Sequence, residues 1–475
     1  LTSNSAGQAG MQLFNFPIDL SLIDFENETV QSWFTEQQLN DLLNGQIAND
    51  TLAILLSRNP AGQRFGGSTS FSKRSDGVAQ NLLLRDIDAQ RGNNEYLFAI
   101  NDAGVAVGHA SSRSIYQSFT PAPTTAVPEP VATNEWVPEL PLMSAVVYNN
   151  TSVTTLAAPY TAMGGGVSAA YGINQHNVVA GYGSDGLAAE AITSLEARCN
   201  GNTEPVDKCL FSHHTAAPNQ PGVYSQELAS FTYSQRAMLW QLDANGAVIG
   251  EPTVFGFLGD KNSQAAHTLE GVKPINYYSK AFDVNDAGIA VGLSLYSNSD
   301  RKLSTDQIYR SEQATIFVDD EVTAIVDVNE WDTSKAVAIN NNNVVIGSAN
   351  RMINGAMRTR FFYHDYNTAE TRFVNGFFNS SSTNPKAIND NEQVVGNAEV
   401  IIAGTITRRK HGFMYDIAAD SFTDLNTLIG CSSSYTIVDA TDINNNGVIT
   451  ATALTQRESK NLLGEPVLDA QGNPV

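Results

Sequence analysis

The chain has 475 residues, and its 49 Asp and Glu against 27 Lys and Arg give a formal net charge of −22. Such a surface repels phosphate backbones and argues against nucleic acid as a partner. No apolar run approaches the roughly 20 residues that a membrane-spanning helix needs, so no transmembrane segment is expected.

The chain opens Leu1-Thr-Ser-Asn-Ser, polar and without a basic leader. It therefore reads either as cytoplasmic or as a mature exported product whose signal peptide has already been removed. Residues 1–90 are expected to hold strands with a helical insertion. Within 26–57 two apolar stripes recur at helical spacing, and Thr35 with Gln38 makes a capping box that starts the second helix.

From residue 91 to 475 one phrase returns six times: an apolar run into Asn, a polar turn, and an apolar run closing on a small residue. The copies begin at Ala99, Gly172, Asp283, Ala338, Ala387 and Asp442, with their first asparagines at 101, 174, 285, 340, 389 and 444. β-formers flanking Asn, Asp and Gly are a hairpin signal, because those turn residues tolerate positive φ. The last three steps are 55, 49 and 55 residues, a near-constant period that implies stacked or radial repeats. The first two steps are 73 and 111 residues, so insertions interrupt a unit of roughly 50 residues.

Those insertions fall at about 114–142 and 184–232. The first carries Pro121, Pro123, Pro128, Pro130, Pro138 and Pro141, which deny ladder hydrogen bonds and predict an extended surface arm. The second holds Cys199 and Cys209 around a polar loop. Closing that loop as a disulfide would stabilise by roughly 2–3 kcal/mol and favours an oxidising compartment. Cys431 is left over as a buried, unpaired thiol.

A second apolar strand follows each motif. Ser144–Tyr148, Arg236–Trp240, Ala314–Val318, Arg360–His364 and His411–Asp416 are the copies. Two hairpins per unit give about four short strands, the content of one propeller blade. The expected fold is all-β, a β-propeller of about six blades with loop and short helical insertions. The ring is expected to close by pairing amino-terminal strands with the last blade; a solenoid or sandwich is the alternative.

The alternation of Ile-Asn-x-x-Gly-x-Val-x-Gly with His411-Gly-Phe-Met-Tyr resembles the HAF-type extracellular repeat, over about residues 95–455. The layout is similar to that of a family of HAF-repeat surface proteins of marine gammaproteobacteria. Gly412 interrupts the triplet, and the other repeats keep only its apolar strand. The resemblance implies an exported surface-layer (S-layer) protein of a Gram-negative cell, self-assembling into a lattice.

Candidate chemistry is sparse. Calcium or another divalent cation is the expected ion, bridging acidic contacts within the lattice or to outer-membrane glycans, with Asp260, Asp283, Asp286, Asp319 and Asp320 as hard oxygen ligands in loops. Asp442-Ile-Asn-Asn-Asn-Gly447 matches half an EF-hand loop, but its twelfth position is Ala453, and a hairpin turn explains it better. Gly181-Tyr-Gly-Ser-Asp-Gly186 is a formal dinucleotide fingerprint with no βαβ series around it. No H-E-x-x-H or G-x-S-x-G occurs and His213-His214 sit in a polar insertion, so no enzyme is expected. The Arg408-Arg409-Lys410 run reads as a solvated hairpin turn or an intersubunit ion-pair site.

The function expected is structural. The alternative is a secreted propeller that binds or degrades polysaccharide, with Asp283 and Asp442 as paired carboxylates facing one channel and Trp240, Trp331 and Tyr363 stacking on sugars.

Overall fold

The computed structural model describes most of residues 95–455, apart from 216–232, 259–277, 402–406 and a few isolated positions, together with segments inside 2–14, 25–55 and 68–82. The protein is all-β, built from consecutive four-stranded antiparallel sheets in which each strand pairs with the next in sequence. Alternating β-branched and small residues drive each strand, and the Asn-centred turns reverse the chain.

Sheet 1 contains Glu95–Ile100, Ala106–Ser111, Met143–Tyr148 and Val153–Leu156. Sheet 2 contains Ser168–Ile173, Val178–Leu187, Tyr233–Gln241 and Thr253–Val254. Sheets 3, 4 and 5 run from Ser279 to Ala324, from Thr333 to Val374 and from Thr383 to Asp424. Tyr435–Ile443 and Ile449–Thr455 form a final hairpin. In every repeat sheet the motif turn joins strands one and two, and the second apolar strand of the repeat is strand three.

The amino-terminal strands depart from expectation. Thr2–Ser3, Ala9–Phe14, Ser68–Lys73 and Gln80–Leu82 pair with one another as a further four-stranded sheet. Among the described residues they form no ladder with the final hairpin. The helices Glu28–Gln31 and Glu36–Leu43 interrupt this sheet between its second and third strands, and the Thr35–Gln38 capping box forms at both of its bonds.

The hydrophobic cores lie between sheets. Val107, Val147, Val179, Met238 and Trp240 pack sheet 1 on sheet 2, and Val291, Ile316, Val345 and Phe362 pack sheet 3 on sheet 4. First strands of successive repeats are neighbours from Glu95–Ile100 through to Tyr435–Ile443, and the backbone of Thr2–Ser3 lies against both of those end strands.

The glycine that closes the motif has a steric reason. A Cβ on Gly108, Gly181, Gly292 or Gly396 would sit 1.7, 2.0, 1.9 or 2.1 Å from a carbonyl oxygen of the first strand. Each of those first strands is bulged just beyond this point, at Leu97/Ala99, Ala170/Gly172, Ala281/Asp283 and Pro385/Ala387. The sixth motif closes on Ala451 instead, opposite Ala440, on a strand that carries a second register shift at Ile437/Asp439.

The first insertion is ordered differently from its predicted form. Ser114–Phe119 and Thr133–Pro138 pair as a hairpin rather than an unpaired arm, with Pro121, Pro123, Pro128 and Pro130 confined to the loop between the strands. The second insertion forms helices Ala189–Arg198 and Val206–Thr215, and a disulfide joins Cys199 to Cys209 between them. Cys431 lies outside the described residues.

Replacing Gly292 by Ala should destabilise the protein by about 1–3 kcal/mol, since backbone and not a flexible side chain must yield. Denaturant unfolding measures this, and Ala451→Gly should cost less than half as much.

Candidate functional site

Each motif asparagine uses both ends of its amide. Its Oδ1 accepts a bond from the backbone N–H four residues on, at 3.0 Å from Val105 to Asn101, 2.8 Å from Val178 to Asn174 and 3.0 Å from Ile289 to Asn285. The same bond runs at 2.8 Å from Val344 to Asn340, 2.9 Å from Gln393 to Asn389 and 3.0 Å from Val448 to Asn444. This closes an Asx turn whose fourth residue needs positive φ. Gly104, Asn177, Gly288, Asn343, Glu392 and Gly447 all take it, at φ values between 59° and 81°. Glu392 is the costly member, since a glutamate seldom adopts that conformation.

The other end of the amide reaches the next repeat. Nδ2 of Asn101, Asn174, Asn285, Asn340 and Asn389 donates to the main-chain carbonyl of the following motif's asparagine, at 3.2, 2.9, 3.2, 3.1 and 3.1 Å. A second bond reinforces each junction. The N–H after the asparagine donates to the side chain of the corresponding residue one repeat on: Asp102 to Gln175, Gln175 to Asp286, Asp286 to Asn341, Asn341 to Asp390 and Asp390 to Asn445. These bonds run from 2.8 to 3.0 Å. The six turns are therefore one continuous belt, and the six leading asparagines, Asn101, Asn174, Asn285, Asn340, Asn389 and Asn444, are buried.

The belt encloses a cavity of about 170 Å³ to which all six motifs contribute. Three consecutive positions line it in most repeats: an aliphatic residue such as Ile339, the asparagine, and the following amide or carboxylate.

Asp283 enters this wall where repeats 1, 4 and 5 place Ala99, Ala338 and Ala387. Its carboxylate accepts from Val284 N–H and, across the junction, from Ile339 N–H, both at 2.9 Å. A Cβ on Gly172 would come within 2.8 Å of Asp283 Oδ1, so the glycine of repeat 2 leaves the space this carboxyl occupies. Desolvation raises the Asp283 pKa to about 7. Its two backbone hydrogen bonds oppose that shift, and the negative charge of Asp442 in repeat 6 adds to it. The two carboxylates the sequence reading paired are thus electrostatically coupled, although 159 positions separate them.

The expected calcium ligands do not gather. Asp283 and Asp286 line the cavity, and Asp286 accepts from Gln175 N–H. Asp319 and Asp320 form the exposed turn between strands three and four of sheet 3, both at positive φ. Asp260 lies outside the described residues. No group of three or more His, Cys, Asp or Glu suited to a metal occurs among the described residues.

Other motifs resolve into structure. Gly181–Gly186 lies within the strand Val178–Leu187, laddered on both sides, so its amides are not free to cradle phosphate. Asp442–Gly447 is a belt turn. Arg408–Lys410 is strand rather than turn, paired with Glu399–Ile401, and Arg408 binds the Glu399 carboxylate at 2.6 Å. Trp240 is buried and donates to the Ala157 carbonyl, while Trp331 is buried against Phe373 with the Arg351 guanidinium over its ring. Neither offers a face for a sugar.

The residue following each asparagine is the functional position that sequence reasoning missed. Its constant polar character, Asp102, Gln175, Asp286, Asn341, Asp390 and Asn445, is visible in the sequence. Within one turn, though, nothing says that the side chain is an acceptor for the preceding repeat.

No helix among the described residues is long and apolar enough to cross a membrane. A family model described as "Protein of unknown function (DUF3466)" matches residues 69–475. No curated protein matches the chain. Among solved structures, an oligogalacturonate lyase in complex with manganese is similar at 10% identity and TM-score 0.34, over 75% of this chain and 70% of its own. An oligogalacturonate lyase from Vibrio parahaemolyticus is similar at 10% identity and TM-score 0.29, over 70% and 84%. Likenesses this low carry no argument about activity.

Two outcomes test the belt. Asn285→Ala leaves the Ile289 N–H without its partner and removes one of the two bonds to the Asn340 carbonyl, which keeps the Asn343 N–H, and should cost about 2–4 kcal/mol in denaturant unfolding, two buried hydrogen bonds' worth. Asp283 has a folded pKa of about 7, above the roughly 3.9 of an unfolded aspartate. Its unfolded carboxyl therefore ionises first, so its contribution is fully present below about pH 4 and is lost as pH rises to about 7. Asp283→Ala, the residue of three sister repeats, should flatten the stability profile between those limits.

Proposed function

The chain belongs to the DUF3466 family, and for this member we propose a structural role: an exported β-propeller that assembles into a surface layer through one face of its disc. The propeller reading is supported by the succession of first strands and by Thr2–Ser3, whose backbone neighbours both the first and the last of them. On this reading the amino-terminal sheet supplies a seventh member beside the six repeats, rather than a strand added to the sixth.

One observation carries the assembly reading. The helices at 28–43, the hairpin at 114–138 and the disulfide-linked helices at 189–215 each interrupt the connection between strands two and three of a sheet. In an antiparallel meander that connection lies at the edge opposite the turn joining strands one and two. The additions therefore share the face away from the asparagine belt. A disc with one plain and one elaborated face has polarity, which an ordered sheet of copies requires.

The elaborated face is braced. Ala122 N–H on the hairpin loop donates to the Asn202 carbonyl of the helical insertion at 2.7 Å, and Leu140 packs beside Leu195, Cys199 and Leu210. Val127 and Val131 at the loop are 52% and 79% exposed. Divalent cations would bridge the acidic remainder of the surface between copies, consistent with a net charge of −22.

Electron microscopy of the purified protein in millimolar calcium, beside a chelated control, tests this role. Ordered arrays that disperse on chelation are expected. Val127→Asp with Val131→Asp should abolish the arrays while changing stability by no more than about 0.5 kcal/mol, as exposed substitutions do. Dispersed single particles in both conditions would overturn the proposal.

A further inference from the structure

The first strand of each repeat has a second side that neither the belt nor the assembly face uses. Four residues before each motif asparagine stand Leu97, Ala170, Ala281, Ala336, Pro385 and Ala440, all buried. Side chains alternate along a strand, so the positions three and five before the asparagine point the other way, out of the core between sheets. Of these twelve positions all but Ala169 are partly or fully exposed. Ala169, Tyr171 and Val337 pack in hydrophobic clusters, and the others face the space that the first strands border together.

That space is divided by chemistry. On sheets 1 to 3 the wall is mainly aromatic, with the Lys280 ammonium over the Tyr182 and Tyr278 rings, while the final hairpin places Asp439 at the same position, accepting from Asn397. Tyr96 stacks on Phe98 at 6.2 Å between ring centroids, Phe98 meets Tyr171 at 4.8 Å, and Tyr171 meets Phe282 edge-on at 5.3 Å. The rings form one continuous arc across three sheets. His109 lies against it, 5.0 Å from Tyr96 and 5.3 Å from Phe98. Burial lowers the His109 pKa to about 4, and its Nδ1 has no hydrogen-bond partner. A neutral imidazole with an unused polar atom therefore stands at the arc.

On sheets 4 and 5 the same two positions give Lys335 and Lys386, both exposed. The Lys335 ammonium is nevertheless held below its ordinary pKa, first by desolvation and then by repulsion from Lys386, with Glu312 acting in the opposite sense. The Glu312 carboxylate is itself engaged by the Tyr278 hydroxyl at 2.8 Å. Two mutually repelling cations thus stand on neighbouring first strands of an acidic protein.

We propose that this shared side of the first strands binds an acidic saccharide, with sugar rings stacked on the Tyr96–Phe98–Tyr171–Phe282 arc and a carboxylate or sulfate held by Lys335 and Lys386. Aromatic faces take up the C–H faces of pyranose rings, and their polar neighbours fix orientation. Lysines act as point charges that accept carboxylate and sulfate alike. The site stands apart from assembly, since it lies on the first strands and not on the insertions.

Isothermal titration calorimetry of the full chain, dispersed in chelator, tests the assignment independently of lattice formation. The probes are a uronic-acid hexasaccharide, a sulfated dextran oligosaccharide and a neutral dextran oligosaccharide of equal length. At least one anionic probe should bind at least about tenfold more tightly than the neutral one, a difference of about 1.4 kcal/mol. Lys335→Gln with Lys386→Gln should remove that preference while leaving the thermal midpoint in place, because both side chains are exposed. Phe282→Leu should weaken the anionic and neutral probes together. No binding of either anionic probe at millimolar concentration, or undiminished binding by the double lysine variant, would overturn the proposal. Binding of only one anionic probe supports it and identifies the anion.

Discussion

The whole architecture depends on the motif asparagine serving two partners at once. Its carbonyl end closes the turn of its own repeat, and its amide end holds the next repeat through a main-chain carbonyl. Neither aspartate nor serine could do both, since aspartate lacks the donor and serine lacks the reach and the second atom. Because the bonds are buried, losing an asparagine leaves an orphaned backbone N–H as well as a missing contact, and such a group is more expensive than the mean hydrogen bond. The result is local turn geometry and inter-repeat alignment fixed by the same side chain.

Alignment of the turns brings the rest into register. The closing glycine admits the bulged first strand, and the bulge re-aims the residues around it. Behind the bulge, one side of the first strand packs between sheets and the other borders the shared interior space. Repeats then diverge where packing permits. Asp283 replaces alanine at one junction and bonds across it, in room left by Gly172. The carboxyl is tolerated there by two backbone donors, yet the site still presses it toward its protonated form.

The insertions follow from the same plan. A belt that joins every first turn to its neighbours leaves no room for additional chain on that edge, whereas the connection between strands two and three touches nothing obligatory. Helices, hairpin and disulfide all enter there. One face is therefore constrained by hydrogen bonding across repeats, and the opposite one is open to elaboration, which is the asymmetry a polar assembly would exploit.

Local chemistry was legible in the sequence. Asn with a small or positive-φ residue three places on predicts the turns, the apolar runs predict the strands, and Thr35 with Gln38 predicts a helix start that forms. Cysteines at 199 and 209 are close enough along the chain for the pairing they make. Reading failed where a residue's partner lies in another repeat. Arg408–Lys410 resembles a turn until Glu399 is laid beside it, and the prolines at 121–130 hide a hairpin whose strands flank them. The coupling of Asp283 to Asp442, the belt acceptors at the position after each asparagine, and the lysines and aromatics sharing one side of the first strands are likewise decided only in three dimensions. The sequence by itself determined which turns and strands form, because those depend on φ preferences and on neighbours one to four residues away. Tertiary structure alone decided which charges meet and which faces are left open, because those depend on how successive sheets are aligned, and hydrogen bonds between turns some 50 residues apart set that alignment.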